Sequence, residues 1–240
     1  MIKEFKSFTI PANSNTVIWR YMDLAKFVSL LGESALFFPR ASTFDDPTEG
    51  SLSDPTALRE WRSLDPLVEA VYKAKSRELR KFILISCWSI SKGESAVLWK
   101  CYAPTRQGIA VRSSIAHLKQ SLQAEPQPIY LGQVQYIDFK IESMSEPVTI
   151  LSPFGYKQKP FDDEKEFRAF FVDPRFQDDK RSEEVNRGEY ISVDLESLID
   201  EIVVSGTPDQ WFLKLVQSIV DRYGLKKPCR ESELARAPVF

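Results

Sequence analysis

The residues with the most chemical potential lie in EKEFRAFF, where Glu164, Glu166 and Arg168 alternate with Lys165, Phe167, Ala169 and Phe171. In a strand successive side chains point to opposite faces, so the first three would share one face and the apolar set the other. The apolar face belongs in a core, which leaves two carboxylates and a guanidinium lining a cleft or facing solvent. A solvated charged strand, with Arg168 pairing one of the glutamates, is what the pattern alone favours. A second cluster, Ser86 to Ser91 with Trp88 at its centre, sets small hydroxyls beside a large aromatic ring, enough to hold a sugar hydroxyl and stack a flat group. Its plainer reading is a strand end turning at Lys92 and Gly93. A third pair, Arg20 and Tyr21, closes the first long strand. Arginine offers a planar fork suited to a pyrophosphate, and a structural ion pair is the alternative.

Other groups carry less. FDDPTEG holds Asp45, Asp46 and Glu49, hard-oxygen ligands for a divalent cation in principle, but Asp before Pro is first a turn signal. The single His117 excludes a multi-histidine metal site, and its stretch, SSIAHLKQSL, reads as a helix with the imidazole exposed. Trp99 and Tyr102 lie three apart on a short helix and are expected to pack against a sheet. Cys87, Cys101 and Cys229 have no metal or disulfide spacing and read as thiols of a cytoplasmic protein. Thirty-two basic against 34 acidic side chains give a net charge of −2, which does not recommend a polyanion or an anionic membrane as partner. No apolar run is long enough for a membrane span, and the charged start is unlike an export signal. Nucleotide-loop, zincin and serine-hydrolase motifs are absent.

The elements that must position these residues alternate irregularly. TVIWRY (16 to 21) predicts a strand, and Asp23 caps a helix through Leu24, Phe27, Val28 and Leu31 that Gly32 should stop. ALFF (35 to 38) predicts a buried strand and 39 to 55 a loop. Asp65 and Pro66 open a long helix with Val68, Val71, Tyr72 and Leu79 on its apolar side. Strands follow at 81 to 91 and 108 to 113, helices at 94 to 102 and 115 to 123, a long or broken strand at 128 to 139, and strands at 164 to 172, in GEYISVDL and at 201 to 206. Thr207 and Pro208 begin a last helix carrying Trp211, Leu215 and Ile219 and ended by Gly224. The expected fold is α+β: one domain, 1–224, with a mixed, partly antiparallel sheet flanked by helices, and a polar tail, 225–240.

Seven blocks, among them W-R-Y (19 to 21), L-F-F-P-R-A-S-T-F-D-D-P-T-E (36 to 49), S-C-W-S-I-S (86 to 91), V-Q-Y (134 to 136) and Y-K-Q-K-P-F-D-D-E-K-E-F-R (156 to 168), together resemble the prokaryotic domain-of-unknown-function family numbered 2971. The likeness spans about residues 17 to 224. It departs from the family pattern at Asp45 and Thr48, and at Phe161, where a tryptophan is usual. An arginine on the first strand, S-x-S on a middle strand and E-x-E on a late one is also similar to ADP-ribosyltransferases. That similarity implies NAD as substrate, with Arg20 on the pyrophosphate, Ser89 at the nicotinamide ribose, Ser91 beside it as the second cofactor-binding serine of S-x-S, and Tyr21 or Trp88 stacking a ring. Glu166 would stabilise the cationic ribose, Glu164 would serve the acceptor and Arg168 would support both. It implies ADP-ribosyl transfer to a protein or nucleic-acid acceptor, or NAD hydrolysis, in a bacterial stress or defence setting, with no metal, no membrane and an undefined oligomeric state. The competing readings are a non-catalytic protein- or nucleotide-binding module and, third, a metal nuclease built on Asp163, Lys165 and Asp46. The transferase reading predicts that Arg20, Ser89 and Glu166 converge on one cleft, and Glu166 on the opposite side of the sheet from both Arg20 and Ser89 would end it.

Overall fold

The computed structural model describes residues 2–4, 8–102, 107–177, 186–206 and 210–235. In chain order the elements are β1 (Ile2–Glu4), β2 (Val17–Asp23), α1 (Leu24–Glu33), β3 (Ala35–Pro39), α2 (Asp54–Trp61), α3 (Pro66–Leu79), β4 (Ile83–Ile90), α4 (Ala96–Tyr102), β5 (Gly108–Ser114) and α5 (Ile115–Ser121). There follow β6 (Ile129–Gln133), β7 (Gln135–Ile137), β8 (Tyr156–Gln158), β9 (Glu166–Val172), β10 (Gly188–Ser192), α6 (Leu195–Leu198), β11 (Glu201–Val204), α7 (Trp211–Arg222) and β12 (Cys229–Glu231). Eight strands form one mixed sheet in the order β1-β6-β9-β4-β2-β5-β11-β12, parallel only at its two outer pairs. Two small ladders, β3 with β10 and β7 with β8, stand apart from it.

The two sheet faces are unlike. One carries the main core, where Ile18, Val111, Leu84, Trp88, Phe167 and Phe171 meet Phe27 and Leu31 of α1, Leu118 of α5 and Phe212, Val216 and Val220 of α7. The other holds two separate apolar clusters. Ile83, Ile85 and Phe170 pack with Phe8, Leu79 and Phe154, while Trp19, Tyr21, Ala110 and Val203 pack with Leu98 and Trp99 of α4. Between those clusters runs a polar strip formed by Cys87, Ser89, Glu166 and Arg168.

Several expectations change. Gly32 does not stop α1; Ser34 does, in the left-handed region at φ 47°, its N–H donating to Leu30 and Leu31 carbonyls. The segment from 39 to 55 is a loop only in part, since its last residues begin α2, with Pro55 in the first turn. On α3 only Leu79 is buried, and Val68, Val71 and Tyr72 face solvent. In α7 the inward residues are Phe212, Val216 and Val220, offset from Trp211 and Leu215, which are exposed; Thr207 and Pro208 lie outside the described residues. Past residue 224, where a tail was expected, β12 extends the sheet edge, and Arg230 binds Glu201 and Glu94. Among the described residues no helix is long and apolar enough to cross a membrane.

Candidate functional site

The site is built on β9 and its neighbour β4. Ser89 stands directly opposite Glu166 in the β4–β9 register, and Trp19 opposite Ser89 in the β2–β4 register. Directly opposed residues share a face, so Trp19, Ser89 and Glu166 form a row across three adjacent strands on the strip side. Arg20 is excluded from that row. It is opposed to Val111 of β5, a main-core residue, and therefore leaves β2 on the other face. Trp88, opposed to Phe167, goes with it and is buried in the main core, its indole N–H donating to Ser86 Oγ at 3.2 Å. The expected convergence is thus split: Ser89 meets Glu166, and Arg20 with Trp88 does not.

The acidic pair also differs from its expected geometry. β9 begins only at Glu166, because residues Lys159–Glu164 form a 3-10 helix and Lys165 is left-handed, at φ 43°. Asp163 and Lys165, expected on the core face, are exposed instead. Glu164 is returned to the strip by Lys157 of β8, whose Nζ lies 2.5 Å from Glu164 Oε2 and 3.7 Å from Glu166 Oε2. E-x-E therefore juxtaposes its carboxylates through a shared ammonium and not through strand alternation.

Arg168 is the centre of the cluster and is fully buried. Its Nε and Nη2 donate to the two Glu166 oxygens at 2.8 and 2.9 Å. Toward Glu49, Nη1 and Nη2 donate at 2.7 and 2.8 Å, and Nη1 also reaches the Phe154 carbonyl at 2.8 Å. These bonds use every N–H direction of the guanidinium. Glu49, 119 residues away, is held there by a tight turn. Asp46 Oδ1 accepts from both the Thr48 N–H and hydroxyl, as the turn reading expected, and Gly50 at φ 71° leaves room for the Phe154 ring, 2.5 Å from where a β-carbon would sit. Asp46 and Glu49 are thus committed to a turn and an ion pair. Among the described residues no group of three or more His, Cys, Asp or Glu side chains is placed to hold a metal ion.

Burial would raise the pKa of Glu166, but the charge and hydrogen bonds of Arg168, the charge of Lys157 and a hydrogen bond from Cys87 together bring it down to about 2. Glu49 goes the other way, since burial outweighs its share of Arg168. Glu164 is likewise raised by burial against the pull of Lys157. Protons entering the cluster therefore go to Glu49 and Glu164 before Glu166. The Cys87 thiol is pushed well above its ordinary value by burial and by the Glu166 charge. Tyr136 accepts the Glu166 N–H at 2.8 Å, and its phenol is raised by burial and by the same carboxylate.

Of the other predicted residues, Tyr21 lies on the strip side but is committed to packing. Its ring meets Trp99 edge-on at 5.1 Å, its hydroxyl accepts the Ser95 N–H at 2.8 Å, and burial lifts its pKa to about 12. Ser91 follows the strand end, where its carbonyl accepts the Trp19 indole N–H at 3.0 Å and its hydroxyl accepts the Gly93 N–H. His117 sits on α5 with Nδ1 2.7 Å from Asp200. On the far face Arg20 donates to Ser86 Oγ at 2.5 Å and the Phe37 carbonyl at 2.9 Å, and lies over the Trp88 ring at 5.9 Å. Burial lowers its pKa, with Cys87 opposing. Cys87 thus hydrogen-bonds Glu166 and stands within electrostatic reach of Arg20. Lys157, Tyr136 and the Glu49 pairing were not singled out by sequence reasoning; each lies in a quoted block, but nothing in the spacing linked them to Arg168.

No family model matches the chain, and no curated protein matches it. Solved structures do. The Thermus sp. 2.9 protein DarT in complex with NAD+ is 10% identical, with 92% of this chain and 97% of that one covered and a TM-score of 0.41. In complex with ADP-ribosylated ssDNA the same protein is again 10% identical, covering 92% and 95%, with a TM-score of 0.43.

Proposed function

We propose that the chain breaks the bond between nicotinamide and ribose in NAD and passes ADP-ribose to an acceptor or to water, with the reacting ribose at the Ser89–Glu166 end of the strip. The observation that carries this reading is the opposition of Ser89 to a carboxylate that stays ionised down to about pH 2. As the glycosidic bond breaks, its electron pair leaves with nicotinamide and positive charge grows on the ribose. A fixed anion there stabilises the transition state more than the ground state. Ser89 would hold a ribose hydroxyl. Glu164, whose raised pKa suits proton uptake, would take the proton of the attacking acceptor. Lys157 sets the two carboxylates at one position, and Arg168 fixes Glu166 from behind. Arg20 has no part in this arrangement.

One observation favours a second reading. Glu166 is 3% exposed and both its oxygens are taken by Arg168, as in a structural ion cluster of a non-catalytic binding module. Comparing Glu166→Gln with Glu49→Gln separates the two, because each removes one charge from Arg168 but only Glu166 faces Ser89. Nicotinamide release should fall by about 10²- to 10³-fold in Glu166→Gln and stay within several-fold of wild type in Glu49→Gln. Equal losses in folded variants would reduce Glu166 to a structural role. A folded wild type that releases no nicotinamide, with or without candidate acceptors, would favour the binding module.

A further inference from the structure

A cavity of about 570 Å³ opens between α2, α3 and the turns at 47–52 and 148–153. Glu49 is in its wall, so the buried Glu49–Arg168 pair stands between it and Glu166. The size suits a small molecule. Along α3, Lys73, Ser76, Arg77 and Arg80 follow one another at i, i+3, i+4 and i+7, which places three cations and a hydroxyl on one wall. Lys73 pairs with Glu69 at 2.5 Å and lies 4.5 Å from the centre of the Trp61 ring. Among the described residues Arg77 has no hydrogen-bond or ion-pair partner. Arg80 carries a buried Nε without one, and its Nη1 reaches only the Pro47 carbonyl, at 3.3 Å.

The two carboxylates on the lining already have cation partners, Glu49 sharing Arg168 with Glu166 and Glu60 sharing Arg59 with Glu146. Three cations against two acids leave the lining net positive, and among the described residues Arg77 and Arg80 have no carboxylate partner. Trp61 and Tyr72 supply ring surface, and Leu52, Val148 and Ile150 an apolar wall. A guanidinium pair beside aromatic rings matches a flat heterocycle bearing a phosphate.

We propose that this cavity binds a nucleoside 5′-monophosphate, its base against Trp61 and Tyr72 and its phosphate on Arg77 and Arg80. The inference does not depend on the NAD reading, because none of these residues belongs to the strip. Calorimetric titration of the full chain with AMP, adenosine and inorganic phosphate tests it. Saturable AMP binding is expected, with adenosine and phosphate each weaker by about tenfold or more. The double variant Arg77→Gln, Arg80→Gln should lower AMP affinity by about tenfold or more, and Arg77→Gln alone, at an exposed side chain, should weaken AMP with an unchanged melting temperature, because only Arg80 ties another segment, the turn at Pro47. Trp61→Ala should weaken AMP and adenosine alike. A folded wild type that does not bind AMP at millimolar concentration would overturn the proposal. So would AMP affinity that survives the double variant, or that is lost in Ser89→Ala, which would place the nucleotide at the strip. Nicotinamide release by the double variant, measured separately, should match wild type.

Discussion

Arg168 is fully buried and Arg20 only partly so, two guanidiniums on strands separated only by β4 but on opposite faces of the sheet. Arg168 has two carboxylates and a carbonyl and is complete. Arg20 has one hydroxyl and one carbonyl, and no carboxylate. The first arrangement is a closed cluster in which one cation sits between two carboxylates. The second is a partly exposed cation that meets, among the described residues, a hydroxyl, a carbonyl and the Trp88 ring. Tying β9 to the Glu49 turn and tying β2 to β4 and β3 are therefore separate tasks here, carried out on different faces.

The most disruptive way to break the comparison is Arg168→Met, which leaves Glu49 buried without its cation and Glu166 with Lys157 alone. A loss of about 3–5 kcal/mol in urea unfolding is expected, and the triple variant that also carries Glu49→Leu and Glu166→Leu should recover most of it. Little loss in Arg168→Met would mean that the cluster admits water freely.

Acid titration comes next in size. Glu166 ionises at about 2 when folded and near the usual carboxylate value when unfolded, so its stabilisation is complete above roughly pH 4.5 and is lost as pH falls toward 2. This single carboxylate should account for up to about 3 kcal/mol, read from urea midpoints between pH 2 and 6. Glu49, raised by burial, has the opposite sign, its ionisation costing stability as pH rises through its own titration. Glu166→Gln should flatten the acid limb. Glu49→Gln should leave it in place, and an acid limb that is the same in all three proteins would remove the cluster from the account.

Arg20→Met should cost far less, at most about 2 kcal/mol, the scale of an unpaired Phe37 carbonyl. A loss equal to that of Arg168→Met would erase the distinction. The mildest test is chemical. Cys101, exposed, should be alkylated first at pH 8, whereas Cys87, partly buried and with its thiol pKa held high, should react only on unfolding. Early Cys87 labelling would show that the strip between the two arginines opens.

Strand positions were legible from alternation, and so was the wish of Arg168 for a carboxylate. What could not be read was which carboxylates, because Glu49 reaches it across 119 residues through a turn whose purpose appears only when Phe154 is seen beside Gly50. The E-x-E spacing predicted a shared face that the left-handed Lys165 removes, and Lys157 restores the proximity from another strand. Arg20 and Ser89 look alike as motif members, but one sits at an even and the other at an odd step of adjacent registered strands. Facing is a property of register, and register between strands some seventy residues apart is absent from a local pattern.

The links from β12 to Glu94 add a constraint of timing. Arg230, Ser232 and the N–H of Glu233 all converge on Glu94, which also accepts the Trp99 indole N–H just ahead of Tyr102. During synthesis the ribosome makes these residues more than 130 positions after Glu94, so α4 emerges without its clamp and gains it only when the last sheet edge has left the exit tunnel. Until then the α4 wall beside the strip lacks these ties, and a nascent chain would carry its polar row before it carries the finished enclosure around it.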